Sequence, residues 1–445
     1  MPSFGHSFVI KRNGSNGREL KPGASRLGRQ PSFAALVLVA GIGPLALDTY
    51  MPAMPVMRAS LHTSAALVQL TVTGYIIGMA IGQLLAGPIS DGIGRRPALL
   101  LPAVVFTAAA VVCATAVNAE ILVATRVVHG LAAGAMVACG RAVVSDIYRG
   151  REMATKFGTL MSITQIGPVV APQIGSATLS IGGWRLIFWG IAGLGVVVVA
   201  LIALGVPESL PAGKRHGTDL ISTGQRMLDL IRDWDFSQHV VIGCLATFAF
   251  FIYIGGSSFV LQTVYGISAS MFAIVFSVNA ALMVVGMVAY RLTVTRYGSS
   301  RLRAIGVATA AAAAFALAAV AAAGPRAVPG LAVPWVLLAI VTGSMGLIFP
   351  STTTLAQQAG DRARGTASSL QGGLAFVAAA AATPLTGVFG YTSLLPMAML
   401  MAIGFAVAAV TLIVISRLRF IRPSPPRPGP ADRQPQDVAD VEAMR

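Results

Sequence analysis

Apolar residues in this chain neither alternate nor keep to one helical face. They run on for about 20 residues at a time, the length an α-helix needs to cross the roughly 30 Å hydrocarbon core of a bilayer. Twelve such runs fit the sequence: 33–57, 66–88, 98–117, 121–144, 157–180, 186–206, 239–262, 270–290, 304–323, 333–356, 365–388 and 393–416. A longer polar segment, 207–238, separates the sixth from the seventh. Its Asp219, Arg226, Asp229, Arg232 and Asp233 fall at helical spacing and predict a surface helix. The chain therefore divides into a basic tail (1–32), a six-helix bundle (33–206), a central loop (207–238), a second bundle (239–416) and a Pro- and Arg-rich tail (417–445) expected to be disordered.

Composition agrees with a membrane protein. Hydrophobic residues make up 55% of the chain and charged ones 11%, against about 25% charged in an ordinary soluble domain. The net charge of +16 would suit nucleic acid if it were clustered on a folded domain. Instead it follows the loops. The two tails, the segments after spans 2, 4, 6, 8 and 10 and their edges carry 27 of the 32 Lys and Arg. The opposite side carries Arg58, Arg185 and Arg326, and the last two, Arg126 and Arg141, fall inside span 4. By the positive-inside rule both termini are cytoplasmic, and nucleic acid is not an expected partner. Residues 1–32 include Lys11, Arg12, Arg18, Lys21, Arg26 and Arg29 but no apolar run of signal-peptide length, so the first span is itself the insertion signal. Cys113, Cys139 and Cys244 show neither pairing nor metal spacing and read as small hydrophobes.

An internal repeat is visible. Gly82 and Gly94, at the end of span 2 and in its loop, map onto Gly286 and Gly298 at the end of span 8 when 204 is added. Equal position, spacing and loop basicity point to duplication.

Among the 16 acidic residues only Asp48 lies within an apolar span. A carboxylate at depth is costly unless it is paired, protonated or facing water. Asp48 lies about 22 Å from the start of its span, and Arg126 lies about 8 Å from the opposite face; in a 30 Å core the two share a level. His129 follows Arg126 on the same helical face. One reading makes Asp48 a proton-binding carboxylate whose charge state follows the approach of Arg126. The other is a static buried pair joining spans 1 and 4. For His129, filling a polar gap is favoured over relaying a proton.

Several stretches resemble a family. Gly87-Pro-Ile-Ser-Asp91-Gly-Ile-Gly94-Arg95-Arg96 is similar to the loop 2–3 signature of the major facilitator superfamily, and Arg126-Val-Val-His-Gly130 to its span 4 motif. Gly167-Pro168-Val-Val-Ala171-Pro172-Gln-Ile-Gly175 resembles the antiporter motif of the drug–proton antiporter branch, with Ala171-Pro172 where glycine is common. Leu47-Asp48-Thr-Tyr50-Met-Pro52, Arg141-Ala-Val-Val-Ser-Asp146, Gly183-Trp184-Arg185 and Gly365-Thr-Ala-Ser-Ser narrow the resemblance to the bicyclomycin and chloramphenicol resistance subfamily of multidrug efflux proteins. The resemblance implies an all-α integral membrane fold of two pseudo-symmetric six-helix bundles, acting as a monomer in a bacterial inner membrane. It implies a small-molecule substrate, the lipid bilayer as surroundings, and no cofactor beyond the proton as coupling ion.

Three expectations about parts follow. Gly167, Ala171 and Gly175, beside Pro168 and Pro172, make a seam for close helix approach. Gly87, Asp91, Gly94, Arg95, Arg96, Arg141 and Asp146 form a loop latch that breaks when the halves rock, or else anchor the interface; Thr295, where the repeat has Asp91, makes any such latch asymmetric. Tyr50, Tyr75, Gln165, Phe248, Phe251, Tyr253, Gln262 and Asn279 are candidates to line a cavity for bulky amphipathic ligands. Proton-coupled export leads, with proton-coupled nutrient uptake as the alternative. An enzyme is not expected, for the sequence shows no intramembrane catalytic set, and an ATP-driven pump would need a nucleotide loop that it also lacks.

Overall fold

The computed structural model describes residues 32–148, 150–210, 220–324, 330–360 and 364–421. The tails, Asp219 and Arg326 lie outside the described residues. Within them the chain is helical: α1 (Phe33–Asp48), a 3-10 turn (Met51–Ala53), α2 (Met54–Ser60), α3 (Ala65–Ile93), α4 (Arg95–Thr115), α5 (Ala119–Ile147), α6 (Gly150–Gly205), α7 (Leu220–Arg232), α8 (Trp234–Val264), α9 (Ala269–Tyr297), α10 (Ser299–Ala323), α11 (Ala332–Ala359), α12 (Arg364–Ala382), α13 (Leu385–Phe389) and α14 (Leu395–Ile421). Most helices outrun the apolar spans at one end or both, because a helix continues into the interface where its backbone stays paired.

Two predicted spans merge in α6. Its 56 residues would reach about 84 Å, nearly three bilayer cores, as a single rod. Gly182 (φ −148°, ψ 19°) and Gly183 (φ 74°, ψ −178°) break it into two antiparallel crossings, and the positive φ of Gly183 is open to glycine at little cost. The predicted surface helix is α7, whose Leu230 tucks against Phe236, Val240, Ala356, Ala367 and Leu370 of the second bundle.

Each bundle has its own apolar core, and the repeat is structural as well as sequential. Gly94 (φ 102°) ends α3 and Gly298 (φ 73°) ends α9, each turning the chain straight into the next helix. Ser64 and Ser268, also 204 apart, cap α3 and α9 by accepting from Leu67 N and Met271 N, each at 3.1 Å. In the first bundle a Cβ on Gly78, Gly82, Gly130 or Gly134 would collide with backbone between α3 and α5. In the second, Gly286 and Gly346 serve the same contact between α9 and α11. Small residues let these helices touch backbone to backbone, which in lipid replaces the missing hydrophobic drive.

The bundles meet mainly at the end remote from residues 32 and 421. There Gln69 Nε2 donates to Gly255 O (2.9 Å), Ser258 Oγ to Met51 O (2.5 Å) and Gln262 Nε2 to Pro52 O (3.1 Å). Thr73 and Thr383 hydroxyls lie 2.5 Å apart, Ser176 Oγ donates to Ser270 Oγ at 3.1 Å, and Arg58 sits over the Tyr391 ring. Every one of these joins the first bundle to the second through neutral groups or a ring face.

Candidate functional site

Asp48 is the last residue of α1. Pro52 has no N–H for the Asp48 carbonyl, so the helix loosens into the 3-10 turn before α2 resumes. The side chain is 5% exposed and, among the described residues, forms neither a hydrogen bond nor an ion pair.

Arg126 comes from α5 and is fully buried. The expected contact with Asp48 is absent: no nitrogen of Arg126 lies within ion-pairing distance of that carboxylate. The guanidinium is caught by other groups. Its Nη1 donates to Ala46 O (3.3 Å), a carbonyl of the last turn of α1, and its Nε to Thr71 O (3.4 Å). A cation at a helix C-terminus meets the negative end of the helix dipole as well as an orphan acceptor. The guanidinium carbon also lies 4.0 Å from the Tyr75 ring centroid and 4.5 Å from that of Tyr50, contacts worth about 2 kcal/mol each when desolvated. Tyr50 and Tyr75 are in turn fixed by Thr71 Oγ1 (3.0 Å) and Gly43 O (3.0 Å). These two tyrosines, read from the sequence as cavity lining, wrap the arginine inside the first bundle instead.

His129 Nδ1 lies 3.1 Å from Arg126 Nη1. An arginine has only donors, so Nδ1 accepts and the proton sits on Nε2. That Nε2 has no partner among the described residues, and the ring fills the space between Phe106 and Tyr75.

The small-residue stretch of α6 faces α1. A Cβ at Gly175 would fall 1.6 Å from Thr49 O, and one at Gly167 2.9 Å from Pro44 Cβ, with Ala171 fully buried between them. The seam thus presses on Thr49, just after Asp48, and on Pro44, one turn before it.

At the terminus-side end, Arg95 pairs with Asp91 (2.7 Å) and Asp146 (2.8 Å) and reaches Ser90 Oγ. Sequence reasoning missed Glu208, just past α6. Its carboxylate accepts from the first backbone N–H groups of α4, Arg95 N at 2.8 Å and Arg96 N at 3.3 Å, capping a helix whose own N-cap, Gly94, has no side chain. Arg96 donates to Ala203 O, and Ser209 to Asp146. All these partners belong to the first bundle or the strand of chain leaving it. Arg141 stands outside this network. No carboxylate stands at Thr295 to repeat it.

The remaining cavity candidates divide. Tyr253 and Asn279 bond each other (2.9 Å), and Trp335 Nε1 donates to Asn279 Oδ1 (3.1 Å), all within the second bundle. Gln262 is used in the remote contact with Pro52. Gln165 spans the bundles to Met287 Sδ at 2.8 Å, Phe248 is half-buried against the second core, and Phe251 packs against both cores. Gln69, which the sequence reading passed over, is the buried amide at the centre of the remote contact; an amide near the outer end of an apolar span was the available signal.

A profile described as Major Facilitator Superfamily matches residues 36–384. A Bacillus subtilis (strain 168) protein, named an uncharacterized MFS-type transporter YdgK, is 32% identical over 391 residues, 86% of this chain and 95% of that protein. A chloramphenicol resistance protein of Pseudomonas aeruginosa is 37% identical over 177 residues, 39% of this chain and 42% of that protein. Among solved structures, an inward-facing, occupied bacterial homologue of the human lysosomal transporter Spinster superposes with a TM-score of 0.72 at 18% identity, covering 89% of this chain and 98% of that one.

Proposed function

The chain belongs to the major facilitator superfamily, and from that premise we propose that it exports amphipathic small molecules across a bacterial inner membrane in exchange for protons. The observation that carries this reading is Asp48: a buried carboxylate, without an ion-pair or hydrogen-bond partner among the described residues, at a helix break braced by the Gly167–Gly175 seam. An isolated charge there is costly, so loading and unloading a proton is tied to how the surroundings open. Arg126, held nearby by carbonyls and rings, is the cation toward which Asp48 swings in the other state.

Alternating access needs a closed end and an open one. With 27 basic residues on the terminus side and three on the other, the terminus side is the cytoplasm. The neutral contacts at Gln69, Ser258 and Thr73 then close the outer end, and the cargo enters from within. The Arg95 network holds α3, α4 and α5 as one body while that body rocks.

The name of the Pseudomonas aeruginosa relative supports antibiotic efflux. Expression in a drug-sensitive bacterium is expected to raise tolerance to at least one amphipathic antibiotic or dye, and collapsing the proton gradient to remove it. Unchanged susceptibility across a broad panel, with the protein demonstrably inserted, contradicts the reading.

A further inference from the structure

We infer that Arg141 is a cargo-selecting residue at the cytoplasmic mouth of the central cavity, and that the transported class includes amphiphiles carrying one acidic group; this rests on the export reading above. The argument begins with where α5 points. Gly134 lies against the α3 backbone at Met79, Val137 meets Gly43 of α1, and Gly140 meets Val39 of α1. Ala135 and Cys139, on another face, line an apolar groove that opens sideways between α3 and α4. Arg141 is one turn beyond Val137 and two beyond Gly134. Its side chain therefore leaves α5 between α1 and α3, away from the groove.

Its surroundings are unusual for an arginine. It is half-buried, yet among the described residues it has no hydrogen bond, ion pair or ring contact. Of the carboxylates at this end of the first bundle, Asp146 and Asp91 are held by Arg95 and Glu152 stands exposed on the first turn of α6. The facing bundle's acids at this end are engaged at the start of α8, Asp233 accepting from Asp235 N and Asp235 from Gln238 Nε2; beyond them, up to the C-terminal tail, the sequence has one acidic residue, Asp361, outside every span. Snorkelling to the interface would explain an arginine on the lipid face; on the cavity face it leaves five donors in a fork with nothing to bind. A planar carboxylate or sulfonate fits that fork in bidentate fashion. Arg141 lies fifteen residues from Arg126 along α5, roughly 22 Å, so an anion there scarcely opposes the charge on Asp48 near the outer end. The apolar body of the cargo then extends inward along the cavity.

The test is equilibrium binding to the full chain in lipid nanodiscs, using one aromatic scaffold as its carboxylate, its methyl ester and its quaternary ammonium. Binding needs no proton gradient, so failure of coupled export leaves this readout intact, and the reverse. The native chain is expected to bind the carboxylate about 10-fold more tightly than the ester, the gain typical of one charge-assisted contact. Arg141→Gln is expected to bring that ratio close to one, and Arg141→Lys to recover part of it. Equal affinities in the native chain, preference for the ammonium, or a ratio unchanged by Arg141→Gln overturns the inference.

Discussion

Replacing Gly175 by alanine adds one methyl group where the helices have no room. The new carbon falls 1.6 Å from the Thr49 carbonyl oxygen and 2.7 Å from its carbon. Unstrained heavy-atom contacts need roughly 3.5 Å, so α1 and α6 have to part by about 2 Å. The obstacle is backbone, which cannot rotate away as a side chain does, and the cost belongs at the upper end of overpacking penalties, about 3 kcal/mol. Because Thr49 follows Asp48, the displacement also reaches the carboxylate. Two other glycines calibrate the reasoning. Gly167→Ala meets Pro44 Cβ at 2.9 Å, a shortfall under 1 Å, and Gly190→Ala meets no atom within 4 Å. Thermal unfolding can be followed with a thiol-reactive dye, since Cys113 and Cys139 are buried in the folded chain. The expected order of melting temperatures is Gly190→Ala near wild type, Gly167→Ala lower and Gly175→Ala lowest, with transport falling in the same order. Equal melting and transport for Gly175→Ala and Gly190→Ala would refute the seam.

Two further perturbations probe other parts. Arg126→Lys keeps the charge but loses the fork that reaches Ala46 O, Thr71 O and two tyrosine rings, and it is expected to destabilise the protein by about 3 kcal/mol, as for a stranded buried charge; unchanged melting would show that the cage is dispensable. Cysteines in place of Thr73 and Thr383, whose hydroxyls lie 2.5 Å apart, are expected to form a disulfide that stops transport until a reductant is added; full transport in the oxidised form would mean the outer end does not open there.

Much of the fold is legible in the sequence because the bilayer constrains it strongly. Each run of apolar residues has one stable backbone, a helix, and its length is set by lipid thickness. The repeat is legible because Gly94 and Gly298 both need a backbone that other residues avoid. What escapes is set by side-chain direction. Depth along two helices placed Asp48 and Arg126 at one level, but depth carries no azimuth, and Arg126 turned to carbonyls and rings instead. Tyr50 and Tyr75 are as polar and aromatic as any cavity residue, and only packing shows that they enclose a cation. Glu208 acts through backbone N–H groups 112 and 113 residues away, a partnership with no sequence spacing to announce it.

Proton coupling through Asp48 is open to a single comparison. Vesicles containing either the native chain or Asp48→Asn are loaded with a fluorescent amphiphile, and its movement is followed with and without a pH gradient. The native chain should drive the compound against its concentration gradient when the proton gradient is imposed and merely equilibrate it otherwise. Asp48→Asn, neutral at every pH, should still bind and exchange the compound but show no response to the gradient. Gradient-driven accumulation by Asp48→Asn equal to that of the native chain would contradict the assignment of Asp48 as the proton carrier.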